Sequence, residues 1–227
     1  FKNLSGLRVL SELKQIFEEE NPIPAIKTME MYGLEKVIHK NMTIIPNTYE
    51  LLESVNKILS WNDLLYTDEP YPRWAVYFMA FLNRCPYKVC EEICTRLNVP
   101  LKEHNILLEN RYKAEKLLNM IENSPTYTRQ DLYWALINFK TEYILYMMAL
   151  SKKEETRKAI SNFYTQQRGI RPYLKGRDLL NIGLKSGPVF SIILNQILNA
   201  KLDGQLKTKK EEIRFATEYA KENKLID

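Results

Sequence analysis

The chain has 227 residues, 45% of them apolar, enough to bury one large core or two small ones and enough to exclude a collagenous or disordered chain. Glycine (7) and proline (10) are scarce, and a chain filled by Leu, Lys, Glu, Ile and Asn favours helices, so the expected class is all-α. Lys and Arg total 33 against 28 Asp and Glu, a mild +5 that does not by itself select a nucleic-acid partner.

Leu4, Leu7, Leu10, Leu13 and Phe17 recur at helical spacing after Ser5, and Asn21-Pro22 stops that first helix. Pro22 or Pro24 suits the first turn of a second helix, with Ile23, Ile26 and Met29 inward and Gly33 as its left-handed terminator. A short turn through Val37 and Ile38 follows. Thr48 is placed to cap a helix running to about Tyr66, and Asp68-Glu69-Pro70-Tyr71-Pro72 then breaks the chain, a possible sub-domain boundary. From Trp74 to Leu82 almost no polar face remains, which predicts a helix packed on several sides at the centre of the core.

Pro86 and Pro100 open helices over about 87–98 and 101–121, and Asn123-Ser124-Pro125 ends the second. Thr128 with Asp131 approximates a capping box for a helix reaching about Leu150, and 151–167 reads as a solvated helix of alternating charge. No uncharged run is long enough to span a bilayer, since Trp74 to Asn83 is bounded by Arg73 and Arg84. No basic segment leading into an apolar core follows Phe1 either, so a soluble protein with no membrane partner and no visible secretory leader is expected. Cys85, Cys90 and Cys94, an odd number crowded together in a large chain, suggest free thiols in a reducing, cytoplasmic setting.

Beyond Arg168 the composition changes. Five of the seven glycines (169, 176, 183, 187, 204) fall within 168–204, placing turns around a short helix near 177–182 and a longer one over about 188–202. Thr208 with Glu211 makes a capping box for the terminal helix. Between Arg168 and Arg214 there are ten basic residues (168, 171, 175, 177, 185, 201, 207, 209, 210, 214) against four acids (178, 203, 211, 212), so this stretch exceeds the net charge of the whole chain. A localised positive patch around glycine-allowed turns suits a phosphate backbone, because Lys and Arg displace condensed counterions while open N–H groups approach the oxygens. A solvated helical face gives the same charge pattern. The hairpin around Gly183-Leu184-Lys185-Ser186-Gly187-Pro188 adds a helix start with Ser186 or Gly187 in the cap region and Lys185 beside it, also compatible with a plain αα turn.

The stretch Lys175-Gly176-Arg177-Asp178-Leu179-Leu180-Asn181-Ile182-Gly183-Leu184-Lys185-Ser186-Gly187-Pro188, continuing to Leu202-Asp203-Gly204, resembles the tail of the class II tRNA nucleotidyltransferases and bacterial poly(A) polymerases, which runs Gly-x-Asp-Leu-Leu, Gly-Leu-x-x-Gly-Pro and Leu-Asp-Gly. Leu4-Ser5-Gly6-Leu7-Arg8-Val9, Glu12-Leu13, Asn21-Pro22, Ala25 and Tyr32-Gly33-Leu34 resemble the RNA-binding segment after that family's catalytic head, with Leu7 in place of the usual Glu. The resemblance implies three regions, 1–44 as the end of a neck and RNA-binding segment, 45–167 as a helical body and 168–227 as a basic helical tail with a helix-hairpin-helix-like element.

The head's own signatures, a Gly-Gly turn near Arg-Asp, paired metal-binding aspartates and a downstream Asp-x-x-Arg, are not found, and no Asp-x-Asp occurs. The chain is therefore expected to be inactive alone, with no catalytic or metal residues and no cofactor of its own. Mg²⁺ and ATP or CTP are implied for a head domain, itself an expected partner. The implied role is to hold tRNA, or another RNA with a duplex stem, by its acceptor and TΨC stems. Candidate backbone contacts are Lys175, Arg177, Lys185, Ser186 and Gly187, supported by Lys207, Lys209, Lys210, Arg168 and Arg171, with Arg8 weaker. Tyr164 and Tyr173, beside the basic stretch, are candidate stacking platforms. The alternative from a different class is an α-helical protein-interaction module with a basic tail.

Overall fold

A computed structural model describes residues 5–67, 69–124 and 127–226, and expectations resting on Leu4, Asp68 and Pro125 lie outside them. The fold is all-α, with no strand among the described residues. The helices are α1 (Gly6–Glu18), α2 (Ile23–Met31), α3 (Glu35–Ile38), α4 (Pro46–Asp63), α5 (Arg73–Phe81), α6 (Tyr87–Arg96), α7 (Leu101–Asn105), α8 (Arg111–Asn123), α9 (Arg129–Leu136), α10 (Thr141–Leu150), α11 (Glu154–Asn162), α12 (Gly176–Asn181), α13 (Val189–Leu202) and α14 (Lys209–Glu222). Wider π-helical segments cover Ile106–Asn110 and Phe163–Gln167. The chain forms two compact units, Phe1–Pro125 with Asn138–Ile160, and Thr126–Ile137 with Ser161–Asp227.

In the first unit α5 lies at the centre, packed by α1, α4, α10 and the π segment at 106–110. Every residue from Ala75 to Leu82 is buried, as the unbroken apolar run requires. Phe17 of α1 meets the rings of Phe78 and Phe81 at centroid distances of 5.4 and 5.7 Å, which ties the first helix into this core. Leu10, Leu13 and Phe17 form the inward stripe, but Leu7, expected among them, is 57% exposed. Gly6 takes the inward place at that end of the helix: a Cβ there would stand 2.1 Å from the Arg96 carbonyl oxygen, so only glycine allows the close approach to the end of α6.

Three helix boundaries depart from the sequence reading. Thr48 is buried inside α4, because Pro46, which has no N–H to satisfy, takes the first turn and Ile45 becomes the cap residue. The helix expected over 101–121 contains the π segment, whose wider turn buries both Leu107 and Leu108 and carries Arg111 into the core. The helix expected from Thr128 to Leu150 is broken between α9 and α10, where the chain passes from one unit to the other. The two halves have incompatible patterns: α9 is amphipathic, whereas all residues from Thr141 to Ala149 are buried. The break at 69–72 is a connection inside one unit, since α4 and α5 pack on each other.

The second unit has its own core of Leu174, Leu179, Leu184, Ile193, Ile197 and Leu206, closed by Ala216 and Ala220 where α14 lies against α13. The small alanines let those two helices approach closely.

Candidate nucleic-acid interface

Two glycines fix the turns of this second unit. Gly183, at φ +94°, ends α12 by donating its N–H to Leu180 O at 3.0 Å, while the Leu184 N–H reaches Leu179 O at 3.2 Å. Gly204, at φ +75°, ends α13 in the same way, with Gln205 N–H on Ala200 O at 2.9 Å. This left-handed helix stop costs a residue with a Cβ and costs glycine little.

The starts of α12, α13 and α14 are drawn together by specific contacts. Asp178, in the first turn of α12, accepts the Lys175 N–H at 2.8 Å and pairs with the Lys209 ammonium at 2.7 Å, which fastens the start of α14 beside that of α12. Lys209 and the Lys175 N–H hold the Asp178 carboxyl below its ordinary pKa. Gly176 stands against Phe190 in the first turn of α13, where an added Cβ would lie 3.5 Å from the ring. At α14, Thr208 and Glu211 complete the expected capping box. Glu211 accepts the N–H groups of Lys207 at 2.7 Å and Thr208 at 2.9 Å, and these lower its pKa. The first turn of α13 carries no side-chain cap: Pro188 itself is the cap residue, one position beyond Gly187 and two beyond Ser186, the two expected. Within that turn the Phe190 N–H bonds Gly187 O at 3.1 Å and the Ser191 N–H bonds Pro188 O at 3.2 Å, and Ser186 and Gly187 beside it are exposed.

Around these three starts Lys175, Arg177, Lys185, Lys207 and Lys210 are exposed, and among the described residues none of their side chains is paired with a carboxylate. Lys209 is exposed but committed to Asp178. Arg171 donates to the Tyr133 hydroxyl at 3.1 Å and to the carbonyls of Arg168 and Ile170 at 2.8 and 2.7 Å, so its guanidinium braces the connection before α12. Arg168 lies over the Tyr164 ring at 5.8 Å. Arg8 is exposed on α1 and belongs to the first unit.

Some residues counted with the basic stretch have structural work. Lys201 is nearly buried and pairs at 2.7 Å with Glu212, which is fully buried and also accepts the N–H groups of Tyr173 and Leu174 at 2.8 and 3.0 Å. The Lys201 ammonium sits 3.4 Å from the centre of the Tyr173 ring, so one face of that ring is occupied. Tyr164, the other stacking candidate, is buried. Nothing in the sequence separates Lys201 from its exposed neighbours except the apolar residues at helical spacing before it, Ile197 and Leu198, which mark its turn as inward.

No group of three or more His, Cys, Asp or Glu among the described residues is arranged to hold a metal ion. His39 is buried, with Nε2 2.9 Å from Glu92 and Nδ1 accepting the Asn41 N–H at 3.2 Å. No helix among the described residues is long and apolar enough to cross a membrane.

No family model matches the chain. Over 221 residues, 96% of its length, it is 35% identical to the A-adding tRNA nucleotidyltransferase of Geobacter sulfurreducens, of which it covers 25%. It is 30% identical over 105 residues, 46% of the chain, to the enzyme of the same name from Halalkalibacterium halodurans, covering 23% of that protein. The fold is similar to that of the Thermotoga maritima CCA-adding enzyme solved in complex with tRNA, with a TM-score of 0.73 and 21% identity over 96% of this chain and 52% of that one. The chain thus spans about a quarter of the length of the curated relatives it matches.

Proposed function

The chain carries the helical body region of the class II tRNA nucleotidyltransferase family, and from that premise we propose that its second unit grips the sugar–phosphate backbone of a folded RNA, the acceptor and TΨC stems of tRNA, while the 3′ end is extended. The observation that carries this reading is the convergence of three helix starts among five exposed cations that, among the described residues, pair with no carboxylate. Ammonium and guanidinium groups neutralise phosphates without reading a base. A-form RNA presents phosphates and 2′ hydroxyls across a shallow minor groove, so such a cluster selects shape. The helical region 168–227 is the gripping tail in this reading, the segment 1–44 with Arg8 is a second contact, and 45–167 is the helical body. The parent reaction is addition of A, or of C and A, from ATP or CTP to RNA 3′ ends with Mg²⁺. That ion would supply Lewis-acid stabilisation of the transferred nucleotidyl group. The described residues contribute binding and orientation, and no chemical step is assigned to them.

Binding of a tRNA minihelix measured by fluorescence anisotropy over a range of salt tests the proposal. Affinity falls steeply with salt, and Lys185→Glu weakens it while reducing the slope of log K against log salt by about 1. Undetectable or salt-insensitive binding favours instead a protein-interaction module, for which the exposed apolar side chains of Leu180 and Ile192 on α12 and α13 speak.

A further inference from the structure

A cleft of about 310 Å³ opens in the first unit beside the starts of α8 and α10, lined by Asn110, Lys113, Asn138, Phe139, Lys140 and Tyr143. The two helices pack on each other, and the connection leading into α10 contributes Asn138, Phe139 and Lys140. Its volume lies at the low end of the range for small-ligand pockets, roughly 300–1,000 Å³. Two lysines and, among the described residues, no carboxylate line it.

The polar groups of the cleft have hydrogen-bonding capacity left over. Tyr143 is only 4% exposed, and its hydroxyl oxygen accepts an Asn110 amide N–H at 3.2 Å, but among the described residues the hydroxyl hydrogen meets no acceptor. Burial pushes the Tyr143 pKa up to about 12, so that hydrogen stays in place at neutral pH. A buried donor in this state costs about 1–3 kcal/mol, which an acceptor entering the cleft removes. Asn110 keeps a second N–H and its carbonyl oxygen beyond the bond to Tyr143. The exposed side chains of Asn138 and Lys140 are held by no hydrogen bond or ion pair among the described residues. Lys113 pairs with Glu109 at 3.8 Å with both side chains more than half exposed, a contact too weak to keep its ammonium from a stronger anion. Phe139, half-buried, stands edge to face with Tyr143 at a centroid distance of 6.2 Å, and the two rings form an aromatic wall.

We propose that this cleft binds a single nucleotide, an aromatic base joined through its sugar to a phosphate. The base packs on the wall of Phe139 and Tyr143, and the Asn110 and Asn138 carboxamides offer adjacent donors and acceptors to its edge. The Tyr143 hydroxyl gives its hydrogen to an acceptor on the base, while Lys113 and Lys140 neutralise the phosphate. An aliphatic phosphate leaves the aromatic wall unused, and an uncharged base leaves both ammonium groups unused; a nucleotide engages all of them. A free mononucleotide and an unstacked nucleotide of an RNA strand offer this same chemistry. The cleft lies wholly in the first unit, so nucleotide binding here and the grip of the tail on RNA can each fail without the other.

Equilibrium dialysis of the full chain against AMP, adenosine, ribose 5-phosphate and a short single-stranded oligo(A) tests this. AMP binds saturably with a Kd below about 1 mM, and adenosine and ribose 5-phosphate, each lacking one half of the ligand, bind about tenfold more weakly. Lys140→Glu weakens AMP binding about tenfold and Tyr143→Phe about threefold. Lys40→Glu, an exposed charge reversal in the turn after α3, leaves it unchanged. Thermal midpoints of the variants confirm that each is folded, and Lys140, being exposed, carries the test if Tyr143→Phe is destabilised. Binding of AMP identifies a free nucleotide as the occupant; binding of oligo(A) without AMP, weakened by Lys140→Glu, identifies a strand, and both uphold the site. Binding of neither, adenosine or ribose 5-phosphate bound as tightly as AMP, an affinity that survives Lys113→Glu combined with Lys140→Glu, or an equal loss in Lys40→Glu overturns it.

Discussion

Lys185 and Lys201 carry the same charge in the same stretch, yet they answer to different physics. Lys185 is exposed and unpaired beside the start of α13, whereas Lys201 neutralises the buried Glu212 carboxylate. Lys201→Met leaves that carboxylate without its ion pair, and chemical denaturation should show a loss of about 3 kcal/mol or more; Lys185→Glu should leave stability within about 0.5 kcal/mol while weakening RNA binding. Gly6→Ala forces a methyl against the Arg96 carbonyl and should cost about 1–3 kcal/mol by the same measurement. The thiols set a pH dependence. Because the folded-state pKa of Cys90 lies below its ordinary value of 9.0, its contribution is lost as pH falls through about 7 and is complete above about 9. Cys94 acts oppositely: it stays protonated in the fold up to about 12, so stability declines as pH rises past 9.0, where the unfolded chain ionises. Thermal midpoints should therefore climb from about pH 7 toward 9 in the wild type and lose that climb in Cys90→Ser.

Individual elements were legible wherever the local signal was complete. Both capping boxes, Thr128 with Asp131 and Thr208 with Glu211, form as their sequence spacing predicts, and Gly33, Gly183 and Gly204 all take left-handed backbone. Thr208→Ala should cost about 1 kcal/mol and loosen the start of α14, which hydrogen exchange at Glu211 would detect. The unbroken apolar run placed α5 at the centre of a core, and Phe78→Ala should cost about 3–5 kcal/mol in denaturant titration. Periodicity was insufficient where packing reshapes a helix. The π segment at 106–110 carries no sequence mark, because an extra residue in a turn changes which side chains face inward without changing their type. The separation of α9 from α10 was hidden likewise, since Asn138, Phe139 and Lys140 are tolerated within a helix and only different surroundings on either side require the turn.

For the whole molecule, the charge imbalance lies in the tail, and the two compact units keep separate cores. If the tail grips RNA, the salt slope of minihelix binding should match about three to five phosphates, its upper end set by the cations around the three helix starts that pair with no carboxylate among the described residues. Replacing Lys207 and Lys210 together by Glu should remove about two from that count in the same titration. Helical class, the turn glycines and the excess of cations after Arg168 are properties of the linear chain, because propensity, left-handed φ and net charge belong to single residues and their near neighbours. Which cations remain free is not. Asp178 takes Lys209, Glu212 takes Lys201, and Tyr133 takes Arg171, each pair separated in sequence and brought within hydrogen-bond reach by folding.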